Sequence, residues 1–344
     1  MRPPAPATSP SLAAWRRITA ALDASQGDRL AADLDAVAAA CADWPDAVRL
    51  APGRWLRDRI DGRPQPRLTV ARAVDLALHG DLAGDRLAWT DAPELAPCTI
   101  LKIVDDRMGD AGLARWLRSA NNPRPVELTL AAGLTDAGAH RLAADPRLAT
   151  LRSLALLRNA LGPAGLAAVL AAPMPALRRL LLGRNLFGEP GARALARATA
   201  LADLDLLDLD CDRLDGPALR VLARAPLLAG VRALNLSNNP IGRDGCAALA
   251  ESPHLDRLEV LFLHGCRLDD AAAVPLLRAP WLSGLKNLAL SDNALSPATI
   301  AGLAAHRELA LDELDICHNP FDAQAAEARL RAAPQFARLR RLCV

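Results

Sequence analysis

Two histidines, His264 and His318, stand among aspartates in one stretch of the chain, and seven cysteines are spread from Cys41 to Cys343. Such side chains can ligate a metal or carry a nucleophile, but a zinc ion needs about four donors gathered around it. No CxxC pair and no Cys/His set at zinc spacing occurs. His264 and His318 fall two strands apart in the register derived below, roughly 9.6 Å at ordinary strand spacing. The cysteines, odd in number, read as buried free thiols. A Gly-rich phosphate loop, GxSxG and HExxH are absent from the sequence. No metal, no cofactor and no catalytic residue is therefore assigned, and the chain reads as a non-enzyme. What remains is the chemistry of recognition. Arg152, Arg158, Arg178, Arg179 and Arg184 are followed by Asp205, Asp208 and Asp210, and then by Asn235, Asn238, Phe262, His264, Asp292 and Asp315.

Composition narrows the possible partners. Of 344 residues, 41 are basic and 39 acidic, a net charge of +2, so there is no overall basic field for nucleic acid. No run of about 18 uncharged apolar residues exists to span a membrane. The N-terminal MRPPAPATSPSLAAWRR carries Pro and Ser where a secretory signal needs an unbroken apolar segment, so a cytoplasmic location is expected. Apolar residues make up 51% of the chain, with 65 leucines, no tyrosine and 3% aromatics, which implies a large core built mainly from one residue type. Only Lys102 and Lys286 are lysines, a bias that points to a GC-rich bacterial genome.

The elements that must carry these side chains are set by a repeat. Leu151, Leu154, Leu156, Asn159 and Leu161 recur as Leu177, Leu180, Leu182, Asn185 and Phe187, and again as Leu204, Leu207, Leu209, Asp212 and Leu214. Copies follow from Val231, Leu258, Leu285 and Leu311, and a last partial copy starts at Leu339; the interval is 26–28 residues throughout. Weaker copies precede them around Leu128 and Leu101, and faintly at Leu76 and Leu78, giving about nine or ten units. The pattern LxxLxLxxNxL resembles that of the leucine-rich repeat family. The second halves, such as LGPAGLAAVLAAP (161–173) and IGRDGCAALAESP (241–253), resemble the ribonuclease-inhibitor-like, helix-containing class. The resemblance implies an α/β fold, a solenoid (horseshoe) with a parallel β-sheet on its concave face and α-helices on its convex face. The residues agree: strong helix formers such as GARALARA follow each strand, and Pro146, Pro173, Pro226, Pro253, Pro280 and Pro334 stand where each helix should stop.

Numbering each unit from its first leucine, positions 1, 4, 6 and 11 are the core. Position 9 comprises Asn159, Asn185, Asp212, Asn239, Cys266, Asn293 and Asn319. The resemblance implies that these side chains bond turn backbone groups in a ladder, weakened at Asp212 and Cys266. Positions 2, 3, 5, 7 and 8 are left unconstrained by the leucine framework, and function is expected there. Position 2 alternates in sign from Arg178 onward, through Asp205, Arg232, Glu259, Lys286 and Asp312, which reads as a cross-strand charge ladder. The partner-binding face is assigned to Arg158, Arg179, Arg184, Asp208, Asp210, Asn235, Phe262, His264 and Asp292. Mutual neutralisation of the Arg and Asp stripes is the plainer account of the charges, but it leaves Phe262 unexplained. The expected function is a scaffold that recognises a protein partner of unknown identity. The alternative is a GTPase-activating-protein-like regulator of a small GTPase, because such a regulator resembles this repeat class; a ubiquitin-ligase-type effector would need a separate catalytic Cys domain.

Three segments are expected: a disordered tail over 1–11, a helical N-terminal cap or companion segment over 12–66, and the solenoid over 67–344. A cap is expected because a solenoid must cover its first apolar face. Arg338, Arg340 and Arg341 would protect the last strand against edge pairing, in keeping with a monomer; an edge-strand dimer is the alternative.

Overall fold

The computed structural model describes residues 9–61, 63–77, 87–201 and 203–344. Most of the tail expected over 1–11, and Leu78 of the faint first copy, lie outside the described residues. The chain divides into two compact units, Met1–Leu134 with Asp145–Arg152, and Thr135–Ala144 with Ser153–Val344.

In the first unit three helices precede the sheet: α1 (Leu12–Asp23), α2 (Gly27–Ala40) and α3 (Gly53–Ile60). The Ser11 hydroxyl starts α1 by accepting from the Ala14 N–H at 3.1 Å, which satisfies one of the free donors of the first turn. Trp15 and Trp55 are buried and still find partners for their indole N–H groups, the Leu50 carbonyl and Asp23 Oδ1, each at 2.7 Å. Arg49, only 2% exposed, lies among them. Its guanidinium donates to the Val70 carbonyl at 2.7 and 3.1 Å and to the Cys41 carbonyl at 3.1 Å, and sits 5.9 Å from the Trp15 ring centre. Burial, and next the charge of Arg72, lower its pKa. The backbone at Arg49–Ala51 bonds the edge of β1 (Ala73–Ala77), with Arg72 N–H donating to Arg49 O at 3.0 Å and Ala51 N–H to Ala73 O at 2.9 Å. Strand β1 pairs in parallel with β2 (Ile100–Val104), which pairs with β3 (Glu127–Ala131); α4 (Gly109–Arg118) links the last two.

The second unit begins with α5 (Asp136–Ala143) and then repeats strand, turn and helix. Its strands are β4 (Ser153–Ala155), β5 (Arg179–Leu181), β6 (Leu206–Asp208), β7 (Ala233–Asn235), β8 (Val260–Phe262), β9 (Asn287–Ala289), β10 (Glu313–Asp315) and β11 (Arg341–Cys343). Each pairs in parallel with the next, and position 4 always meets position 4, as Leu234 meets Leu261. The helices are α6 (Pro163–Ala171), α7 (Gly188–Ala196), α8 (Gly216–Leu222), α9 (Gly242–Ala250), α10 (Asp270–Leu276), α11 (Pro297–Ala305) and α12 (Ala323–Arg331). Asp215, Asp269, Ser296 and Asp322 cap their helices through side-chain oxygens. The expected prolines do follow the helices, and Pro146, Pro226 and Pro280 also open the short 3₁₀ turns that lead to the next strand. Pro275 departs from that pattern by lying inside α10. Parallel strands joined by helices, with the position-4 and -6 leucines of β4–β9 buried, make this unit the α/β solenoid expected of the sequence. No helix among the described residues is long and apolar enough to cross a membrane.

The cysteines are not all buried free thiols: Cys211 is half-buried, and two others are paired. Cys317 and Cys343 form a disulfide across β10 and β11, with 5.5 Å between their Cα atoms. They are 26 residues apart, one repeat interval, so the register sets them on neighbouring strands. Among the others, Cys41, Cys98, Cys246 and Cys266 are buried thiols.

Candidate functional site

The second unit's sheet turns alternate side chains away from the helices, and this open face carries positions 3 and 5. Its hydrogen bonding outruns the three-residue strands. Position 6 donates to position 5 of the next unit, as Leu236 N–H does to Phe262 O at 2.9 Å, and position 8 donates to position 7, as Arg184 N–H does to Asp210 O at 2.7 Å. Immediately after, the chain leaves the sheet through a left-handed residue. Position 8 has positive φ in seven successive units: Arg158 (53°), Arg184 (67°), Cys211 (57°), Asn238 (57°), Gly265 (62°), Asp292 (55°) and His318 (53°). Position 8 was expected to be unconstrained; its side chains are exposed for the most part, but its backbone is restricted to a conformation that costs most L-residues about 1–2 kcal/mol. At Gly265 a Cβ would also lie 2.7 Å from Asn238 Oδ1, so the exposed Asn238 amide would have to move aside.

The left-handed residue aims position 9 inward. Asn239 Nδ2 donates to the Leu209, Leu236 and Ser237 carbonyls at 2.8, 2.9 and 3.1 Å, while its Oδ1 accepts from Asp212 N–H and Leu214 N–H, both at 2.9 Å. Asn293 and Asn319 repeat the pattern, Asn185 bonds the Leu156 and Leu182 carbonyls, and Asn159 bonds the Leu157 carbonyl. The amides of Asn185, Asn239, Asn293 and Asn319 thus each satisfy main-chain groups of two units at once. Cys266 keeps a donor, its thiol bonding the Leu236 carbonyl at 3.2 Å, and burial pushes its pKa up to about 12. Asp212 does not. Its Oδ1 accepts from Asn185 N–H at 2.7 Å and Leu186 N–H at 3.3 Å, but its Oδ2 is buried without a hydrogen-bond partner. Burial pushes its pKa up to about 7.

The residues assigned to the partner face fall into four groups. Arg184 Nε lies 3.3 Å from Asp210 Oδ2, and Asn238 Nδ2 donates to Asp210 Oδ1 at 2.6 Å, joining three successive turns. Asp208 and Asn235 occupy position 5, where each side-chain Oδ1 accepts from the position-7 N–H of its own unit, at 2.9 and 3.0 Å. They therefore help to shape the turn as well as to decorate the face, and burial raises the Asp208 pKa. Phe262, also at position 5, is 39% exposed and borders a groove of about 240 Å³ lined by Asn287, Ala289, Asp315, Arg341 and Cys343. His264 Nδ1 lies 3.1 Å from Ser291 Oγ, whose hydroxyl donates to Asp315 Oδ2 at 3.0 Å; Asp292 Oδ2 is 3.8 Å from His264 Nε2. With its single hydrogen committed to Asp315, the Ser291 hydroxyl accepts from His264, so the imidazole holds the serine in place and is not poised as its base. Arg158 and Arg179 are exposed on the two preceding units. At position 2, Glu259 accepts from Arg232 and Lys286, both at 2.6 Å, so that three rungs of the charge ladder are ion-paired. The hydrogen bond from Lys286 leads the causes that lower the Glu259 pKa.

Ser291 and the disulfide were not assigned from sequence, and Arg341 was expected only to protect the edge of the last strand. The 26-residue spacing of the two cysteines was the available signal, since one repeat interval is one strand step.

Comparison with known proteins agrees with the repeat. Residues 231–250 match a family model described as Leucine Rich repeat. Among solved structures, the chain is similar to one in the crystal structure of the Rad7 and Elc1 complex in yeast, with 12% identity and a TM-score of 0.49 over 94% of this chain and 87% of that one. It is also similar to a chain of the mouse RP105/MD-1 complex, with 17% identity and a TM-score of 0.43 over 69% of this chain and 37% of that one. No curated protein matches the sequence.

Proposed function

We propose that this chain is a non-enzymatic scaffold of leucine-rich repeats that recognises a protein partner through the open face of the second unit's sheet. The observation that carries the reading is Phe262. It stands 39% exposed on a strand whose neighbouring residues Leu261 and Leu263 are buried, so the core does not account for it. Exposed aromatics and arginines are the usual anchors of protein interfaces. On the units before it the face carries charged groups of both signs, Arg158, Arg179 and Arg184 and then Asp208 and Asp210, while His264 follows it in the same unit and Asp292 in the next. Such a surface suits a partner that presents an apolar contact flanked by complementary charge.

The test is affinity capture with the wild-type protein, an Arg184→Ala/Asp208→Ala/Phe262→Ala variant and an Arg220→Ala control on α8. A partner retained by wild type and control but lost by the folded triple variant supports the reading, and its binding should weaken with added salt because exposed charges are screened within about 8 Å at 0.15 M. Retention of every partner by the triple variant overturns the assignment of the face.

A further inference from the structure

The end of the groove beside Phe262 carries a set of donors that recognition of a protein does not require. Asp315 closes β10, Cys317 follows two residues later, and Cys343 lies opposite Asp315 in β11. One ligand atom from each of the three lies within 4.8 Å of the others. Cys343 is exposed and Asp315 and Cys317 are partly so, and both Asp315 and Cys343 line the groove. We propose that reduction of the Cys317–Cys343 disulfide opens a three-ligand site, Cys317 Sγ, Cys343 Sγ and an Asp315 carboxylate oxygen, for a thiophilic divalent cation of the zinc type. Its fourth coordination position faces the groove.

The geometry is suitable for such an ion. Two bonds of about 2.3 Å at the tetrahedral angle place thiolate sulfurs about 3.8 Å apart. Side-chain rotation reaches that separation from Cα atoms 5.5 Å apart on hydrogen-bonded strands. The carboxylate is already oriented: Asp315 Oδ1 accepts from Cys317 N–H at 3.2 Å and Oδ2 from Ser291 Oγ at 3.0 Å, with His264 behind the serine. Each oxygen retains a lone pair, and an outer partner of this kind is what commonly fixes a ligating carboxylate. The buried thiols compete poorly, since burial pushes Cys98 and Cys266 up to about 12 and raises Cys246 as well.

The chemistry balances with a named reductant. A water-soluble phosphine supplies two electrons, the S–S bond breaks, phosphorus takes oxygen from water to become the phosphine oxide, and the two water protons end on the sulfurs. In a cell a dithiol does the same by exchange, becoming a disulfide itself. Cation binding then releases both thiol protons to solvent.

The test uses the full chain, reduced with a phosphine under anaerobic conditions and titrated with Co²⁺. The expected result is one equivalent of Co²⁺ bound with a sulfur-to-cobalt charge-transfer band, displaced by Zn²⁺ and absent from the oxidised protein. Cys343→Ser and Cys317→Ser should each abolish the band while circular dichroism is retained. Ser291→Ala should weaken Co²⁺ affinity about tenfold at unchanged stoichiometry, which a purely structural serine would not do. If either cysteine variant unfolds, Asp315→Asn serves in its place and should weaken binding likewise. No band in the reduced wild type, or an undiminished band in the cysteine variants, overturns the proposal.

Discussion

The two compact units bury their cores by different means. In the second unit the same few contacts recur at 26–28-residue intervals: apolar residues at positions 1, 4 and 6, a left-handed residue at position 8, and a side chain at position 9 that satisfies the main chain of two units. The first unit carries only weaker copies of the repeat along β1–β3 and relies besides on contacts made once, with Trp15, Trp55, Trp89 and Trp116 supplying bulk and the Arg49 guanidinium satisfying two carbonyls in the interior. Repetition spreads stability over many equivalent sites, so that one imperfect rung is tolerated. Contacts made only once concentrate it in residues that have no substitute.

The largest effect expected in the repeated unit is at its core. Leu236→Ala should cost about 2–5 kcal/mol in urea unfolding, because Leu236 is fully buried between neighbouring units. If the loss were below about 1 kcal/mol, the leucines would not be the source of the unit's stability. Close behind, Arg49→Ala should cost about 3 kcal/mol, since it leaves the Val70 and Cys41 carbonyls without their buried donor. A loss no greater than that of an exposed arginine such as Arg220 would remove the contrast between the two units.

The imperfect rung gives a pH signature. Asp212 has a pKa of about 7 in the folded protein against an ordinary 3.8, so between those values the folded chain binds the proton and the unfolded chain does not. Its contribution to stability is therefore greatest in acid and declines as pH rises from about 4 to about 7, with a slope of at most about 1.4 kcal/mol per pH unit. Asp212→Asn should restore an amide donor, raise the melting temperature above pH 7 and remove that part of the pH dependence. A variant less stable than wild type at pH 8 would mean that the carboxylate is satisfied in some other way.

Smaller effects belong to the rim. Gly265→Ala should cost about 1–2 kcal/mol, because φ is +62° and the new Cβ would crowd Asn238 Oδ1. Thermal unfolding would show it, and an unchanged midpoint would mean that the turn has room to shift. Glu259→Gln should change stability by no more than about 0.5 kcal/mol, and less at high salt, since Arg232 and Lys286 are both largely exposed.

Much of this was legible in the sequence. A 26–28-residue interval with apolar residues at period two and then at helical spacing leaves few alternatives to a strand followed by a helix, repeated. Parallel pairing follows because like must stack on like. The site was legible only in part. Phe262 stands out in a leucine framework, and the position-2 charges declare their pairing by alternating in sign. Arg158, Arg184 and Cys211 gave no sign that their backbone is left-handed, because neither arginine nor cysteine signals it; Gly265 and Asn238 at the same position do, and Asp292 and His318 do so more weakly. Asp208 and Asn235 looked like free surface and proved to be partners of their own turns.

The division has a physical basis. Periodicity is a local property of the chain, so the sequence alone determined the element types, their parallel order, the core positions and the step that places Cys317 beside Cys343. Burial, partner choice and protonation depend on atoms brought together from elsewhere in the chain. Only the tertiary structure could decide that Arg49 is interior, that Asp212 Oδ2 lacks a donor, and that His264, Ser291 and Asp315 form one hydrogen-bonded chain next to a pair of sulfurs.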